Sequence, residues 1–237
     1  MNYNNFQLDT AAHDKELFLS SAFPALMRKV YVWMTLALVL TGATAYGVAT
    51  SPGLLMALAT NKVLFFGLVI AEFALVFGVS GAINRLSLTT ATLMFVAYSV
   101  INGALLSFIF LAYTMSSITS VFFITAGTFG AMSVYGYFTS RDLSRIGSFL
   151  FMALIGLIIA SIVNIFLKSS GLEWAITFGG VLIFVGLTAW DTQQIKRMAQ
   201  EAPSSSVGRL ATLGALSLYL DFINMFVYLL RIFGNRN

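Results

Sequence analysis

The sequence predicts an all-α membrane protein with seven transmembrane helices. Its composition gives the first reason: 59% of the residues are hydrophobic and only 9% are charged, whereas a soluble domain carries about 25% charged residues. A small soluble sphere needs a polar skin that this chain lacks, so lipid has to solvate its outer face. The second reason is that the apolar residues fall into continuous runs, each near the ~20 residues a helix needs to cross the hydrocarbon. A β-barrel would instead show short alternating segments. With no water to bond exposed backbone groups, continuous runs cross as helices.

Taken in order, residues 1–27 are polar and mixed in charge (Asp9, His13, Asp14, Lys15, Glu16). They are expected to form a cytoplasmic N-terminal tail and not a signal peptide, with the transmembrane domain at 28–237. The spans are predicted at 28–49, 62–80, 88–111, 118–138, 146–167, 173–197 and 210–231. In the third span Ser99, Gly103 and Ser107 recur every four residues, and in the fifth Gly156, Ala160 and Asn164 do the same. Small residues at that spacing let helix backbones approach closely. Pro24, Pro52 and Pro203 fall outside the spans, so no proline kink is expected. Trp33, Trp174 and Trp190 lie towards span ends, where interfacial aromatics gather. The loop Glu201-Ala202-Pro203-Ser204-Ser205-Ser206 separates the last two spans. No internal repeat supports the inverted-repeat architecture of many transporters.

Charge sets the expected orientation. Nine of the 13 Lys and Arg (Lys15, Arg28, Lys29, Arg85, Arg141, Arg145, Lys196, Arg197, Arg209) fall on one side of the predicted spans, and Lys62, Lys168, Arg231 and Arg236 on the other. The positive-inside bias puts the N-terminus in the cytoplasm and, after seven spans, the C-terminus outside. The net charge of +4 is spread over loops and makes no basic patch on an aqueous domain, so nucleic acid is not an expected partner. With no cysteine, disulfides, thiolate metal sites and cysteine nucleophiles are excluded. His13, the single histidine, leaves a histidine-based triad or zinc site without its parts.

Acids inside apolar spans are costly and call for an explanation. Glu72 sits mid-span in Ile70-Ala71-Glu72-Phe73-Ala74. It is either a glutamic acid bonded to a backbone carbonyl or to an asparagine of another helix, or an ion or proton site lining a wet cavity. In the last span Gly214, Ser217, Asp221, Asn224 and Tyr228 share one helix face, opposite a face of Leu, Phe and Val. Such a stripe turns towards protein or water. Asp191 stands in Ala189-Trp190-Asp191-Thr192-Gln193-Gln194-Ile195-Lys196. It is a loop residue if the sixth span stops at Trp190, and an intramembrane acid if the helix runs to about Met198. The absence of Gly or Pro before Pro203 favours the longer helix. Spans six and seven are joined by a short loop and should be antiparallel neighbours, so Asp191 and Asp221 can meet. Two close carboxylates in a low dielectric tend to share one proton, which makes such a pair a natural pH sensor or cation site.

These residues carry a resemblance. The segment Leu216-Ser217-Leu218-Tyr219-Leu220-Asp221-Phe222-Ile223-Asn224-Met225-Phe226, followed by Leu229-Leu230-Arg231-Ile232-Phe233-Gly234, closely resembles the signature ending of the Bax inhibitor family, also called transmembrane Bax inhibitor motif proteins. Trp190-Asp191-Thr192-Gln193-Gln194-Ile195-Lys196 resembles its sixth-span motif, and Glu72 its second-span glutamate. The resemblance implies six helices surrounding a central seventh, and a pH-sensitive calcium leak channel. It implies that Asp191 and Asp221 form the pH-sensing pair and the candidate calcium ligands. Glu72, with Asn224 on the same polar stripe as Asp221, is a candidate for the ion pathway. Arg85 is the nearest candidate for the cation that latches the sixth-span aspartate in relatives, or else an ordinary topology-setting arginine. The short tail and compact loops look bacterial, which implies a multi-pass protein of the bacterial inner membrane with lipid, calcium and another membrane protein, such as a membrane protease, as partners. No cofactor is expected beyond the calcium ion.

Two further classes compete. A regulatory or scaffold protein that binds another membrane protein is compatible with the small-residue seams. An intramembrane aspartic protease also places two aspartates on adjacent helices. Its Gly-x-Gly is replaced here by Leu218-Tyr219-Leu220 and no Pro-Ala-Leu follows, so an enzyme is not expected. A retinal-type receptor lacks its Schiff-base lysine in the last span.

Overall fold

The computed structural model describes the backbone of residues 3–82, 85–201 and 207–237, and the side chains of these from Phe23 onward apart from Glu201 and Val207. The side chain of His13 and the loop residues 202–206 lie outside that set. Among the described residues seven helices are long and apolar enough to cross a membrane, covering Phe23–Ala49, Lys62–Ala82, Leu88–Ala112, Met115–Phe138, Ser144–Leu167, Ser170–Gln200 and Gly208–Phe233. They belong to α1 (Tyr3–Ala49), α3 (Lys62–Ala82), α4 (Leu88–Leu106) with α5 (Ile109–Ala112), α6 (Met115–Phe138), α7 (Ser144–Leu167), α8 (Ser170–Glu201) and α9 (Val207–Phe233). The additional helix α2 (Pro52–Thr60) lies between the first two spans.

Several boundaries differ from the expectation. The backbone of the N-terminal segment is helical and continuous with the first span, so Pro24 lies inside α1. Pro52 starts α2, where a missing backbone N–H costs nothing. The third span breaks at Ser107, whose N–H and hydroxyl both bond Ala104 O (3.3 and 2.7 Å). Helix α8 runs on to Glu201, so Asp191 lies within a helix and not in a loop, as the longer reading of that span expected.

α9 is the centre. Within its apolar window 67% of the residues are buried, against 6% for α3 and for α7. It packs on α1, α4, α6 and α8, while α3 packs chiefly on α4 and α7 on α8. The outer helices are therefore four around the centre with two flanking. Leu216, Leu218, Tyr219, Met225 and Leu230 of α9 are fully buried. Beyond α9 the chain turns back: Thr114 N–H donates to Asn235 O (3.1 Å), and Asn237 N–H to Ala112 O (3.1 Å). The end of the seventh span is thereby fastened to the turn between the third and fourth.

Close helix contacts are set by glycine. A side chain at Gly103 would meet the Thr41 backbone O at 2.5 Å, which fulfils the predicted seam of the third span. Gly136 lies against the Ala189 backbone, and Gly147 against the Trp190 indole, so Trp190 is a packing residue between α7 and α8, not an interfacial anchor. Only part of the predicted seam of the fifth span is a helix contact: Gly156 is exposed with nothing near it, while Ala160 packs against the core. α7 instead turns Gly147, Leu150 and Leu157 to α8, where Leu150 meets Gly186 and Leu157 meets Gly179.

Adding one methyl group separates these two seams. Gly103→Ala is expected to destabilise the protein by about 1–3 kcal/mol through overpacking, whereas Gly156→Ala stays within about 0.5 kcal/mol of wild type, as an open surface change does. Thermal unfolding in mild detergent reads the difference.

Candidate functional site

α8 and α9 lie side by side and bring their aspartates together. The Asp191 and Asp221 side chains face one another across the α8–α9 interface. Asp221 is 3% exposed, and its Oδ2 has no hydrogen-bond partner among the described residues. Asp191 is partly exposed. The polar face of α9 is the one turned to α8: Gly214 meets Ile195, and the Tyr228 ring covers Gly180 and stacks on Phe184 at 6.0 Å. Asn224 of that face donates to Leu220 O of its own helix (2.8 Å).

Glu72 belongs to a different cluster. Its Oε1 accepts from the Asn102 amide of α4, and its carboxyl also bonds the Tyr98 hydroxyl. Its partner is therefore an asparagine of another helix, one of the two arrangements the sequence allows. Asn102 passes the contact inward: the Tyr219 hydroxyl donates to Asn102 Oδ1 (3.2 Å) and lies 2.7 Å from Thr41 Oγ1, which donates to Ser99 O (3.0 Å). Two hydroxyl hydrogens serve these three links, so one link lacks its proton at any instant. The cluster joins α1, α3, α4 and α9 through buried Thr41, Tyr98, Ser99, Asn102 and Tyr219. The structure thus puts Glu72 with Asn102 and Asn224 with its own backbone. Sequence reasoning passed over Asn102 and Tyr219. The mid-span Tyr98 and Asn102, one turn apart, were the available signal.

Arg85 is exposed in the turn after α3. Among the described residues the ion pair is Arg197 with Asp142, at 2.5 Å. Arg197 also bonds Ser144, and Gln193 one turn earlier donates to Arg141 O (2.8 Å) and accepts from Leu143 N–H (2.9 Å). The end of α8 is therefore clasped to the turn between α6 and α7, six residues or fewer from Asp191. The Ser144 backbone N–H, followed by Arg197, holds the Asp142 carboxyl down to about 2 from an ordinary 3.8.

Seven apolar helices packed about α9, which carries the buried Asp221, define an all-α multi-pass membrane protein. The chain belongs to the Bax inhibitor family: the family described as "Inhibitor of apoptosis-promoting Bax1" matches residues 24–237. It is 52% identical over 213 residues to the inner membrane protein YbhL of Escherichia coli (strain K12), covering 89% of this chain and 91% of that one. It is also 47% identical to the protein RP147 of Rickettsia prowazekii, with 89% of each chain covered. A Borreliella burgdorferi protein is 42% identical, over 97% of this chain and 98% of that one.

Two outcomes follow from this geometry. Tyr219→Phe leaves Thr41 and Asn102 short of a partner in the core and is expected to lower stability by about 1–2 kcal/mol, read as thermal unfolding in detergent. Asp142 is depressed in the folded protein, so its stabilisation is complete above its ordinary value and disappears only as pH falls towards 2. Asp142→Asn should accordingly lower the unfolding temperature by the same amount at pH 5 and pH 8.

Proposed function

We propose that the chain is a pH-sensitive cation leak of a bacterial inner membrane, with calcium as its permeant ion and the Asp191–Asp221 pair as its sensor and gate. The observation that carries this reading is the juxtaposition of the two side chains across the α8–α9 interface. In a low dielectric two such groups titrate as a unit, and the proton they share decides whether the α8–α9 interface carries one negative charge or two. A second charge would repel the helices, and α9 is the helix on which α1, α4 and α6 also rest. A change of protonation therefore acts on the packing of the whole bundle.

Carboxylate oxygens suit calcium, which takes 6–8 oxygen ligands. Two carboxylates provide fewer, and among the described residues no cluster of three or more acids, histidines or cysteines is present. The pair is suited to brief contact with a passing ion more than to storage. On this reading the N-terminus is cytoplasmic, the C-terminus outside, and the protein is not an enzyme. A second reading, a regulatory protein seated against another membrane protein, is favoured by the open face of α7 at Gly156.

The test is calcium flux into dye-loaded liposomes from pH 5 to 8, with Asp191→Asn and Asp221→Asn beside the wild type. We expect a pH-dependent flux whose pH dependence disappears in both variants. Folded wild-type protein that passes no more calcium than empty liposomes would remove the leak and leave the second reading.

A further inference from the structure

A crevice of about 460 Å³ opens between α1 and α6, lined among others by Tyr31, Gly130, Ser133, Val134, Tyr137 and Phe138. It exists because both helices lean on α8 and α9 and because Gly130 leaves its wall open, with nothing within 4 Å of where a side chain would begin. Its outer rim, Val134 and Phe138, is 59% and 75% exposed, so it faces the hydrocarbon sideways. We infer that this crevice seats one anionic glycerophospholipid from the leaflet at the 139–143 end of the bundle.

The occupant is argued from charge. Lys196 stands over the end of the crevice: its Nζ donates to Tyr137 O (3.4 Å) and lies 5.9 Å from the Phe23 ring, which stacks on Tyr137 at 5.0 Å. An ammonium has three donors, and Lys196 has no carboxylate partner among the described residues, since Asp142 is occupied by Arg197. The α8 span Ser170–Gln200 has 31 residues, about 46 Å of helix against ~30 Å of hydrocarbon. Its last turns, with Lys196, therefore stand at headgroup level, where a lysine attracts anionic lipid. Ser133 is 3% exposed, five residues inside the end of α6 and roughly 7.5 Å deeper, and its hydroxyl faces that of Tyr31 in the crevice wall.

Native mass spectrometry of the purified protein, supplied in mild detergent with phosphatidylglycerol or phosphatidylcholine, tests this. Wild type should retain one phosphatidylglycerol several-fold better than phosphatidylcholine. Lys196→Gln should abolish that preference, and Gly130→Leu, which fills the crevice, should abolish retention of both lipids. If Gly130→Leu does not fold, Lys196→Gln decides alone. No lipid retained by wild type, an undiminished preference in Lys196→Gln, undiminished retention in folded Gly130→Leu, or a crosslink from Val134 to another protein's helix in native membranes would each overturn the inference.

Discussion

An ionisable side chain in the middle of a membrane bundle has to be neutralised or partnered, and Asp221, at 3% exposure on the most buried helix, sets that requirement for the whole molecule. Among the described residues what faces it is a second carboxyl, that of Asp191. On the proposed reading the two share a proton. They stay opposite one another only if α8 and α9 stay in register. Glycines at 180 and 214 allow that approach, because Tyr228 and Ile195 occupy the space where their side chains would be.

The central helix is polar on two sides. Asp221 faces α8, while Tyr219, roughly 200° around the helix, faces Thr41 and Asn102. A displacement of α9 that parts the carboxyls also strains the hydroxyl links to α1 and α4. Those links end at Glu72, so the acid of the second span and the acid pair of the last two are connected through one rigid rod without touching. The clasp of Arg197 and Gln193 on the α6–α7 turn limits how far the end of α8 can follow. Asp142 keeps its charge until pH falls towards 2, so the clasp is a fixed anchor.

The spans were legible because hydrocarbon thickness dictates the length of an apolar run, and the face of α9 because a polar stripe in lipid must turn inward. The helical placement of Asp191 followed from the missing helix breaker before Pro203. Other features were hidden for physical reasons. Lipid is as apolar as a packed helix, so the spacing of Gly156 and Ala160 resembles that of Ser99 and Gly103 although Gly156 meets no neighbour. Tyr219 sits between leucines and reads as apolar until Asn102, 117 residues away, is placed beside its hydroxyl. Arg197 finds Asp142 across 55 residues, which no local pattern announces.

The central claim is that Asp191 and Asp221 hold their protons jointly. Infrared difference spectroscopy on protein with isotope-labelled aspartate measures this directly, by following the carbonyl stretch of protonated carboxyl groups as pH is raised. The account predicts a labelled band whose loss falls at one pH in the wild type and at a different pH in Asp191→Asn and in Asp221→Asn, because each variant removes the other's partner. A band that titrates at the same pH in all three proteins would mean that the two aspartates do not sense one another, and would contradict the account.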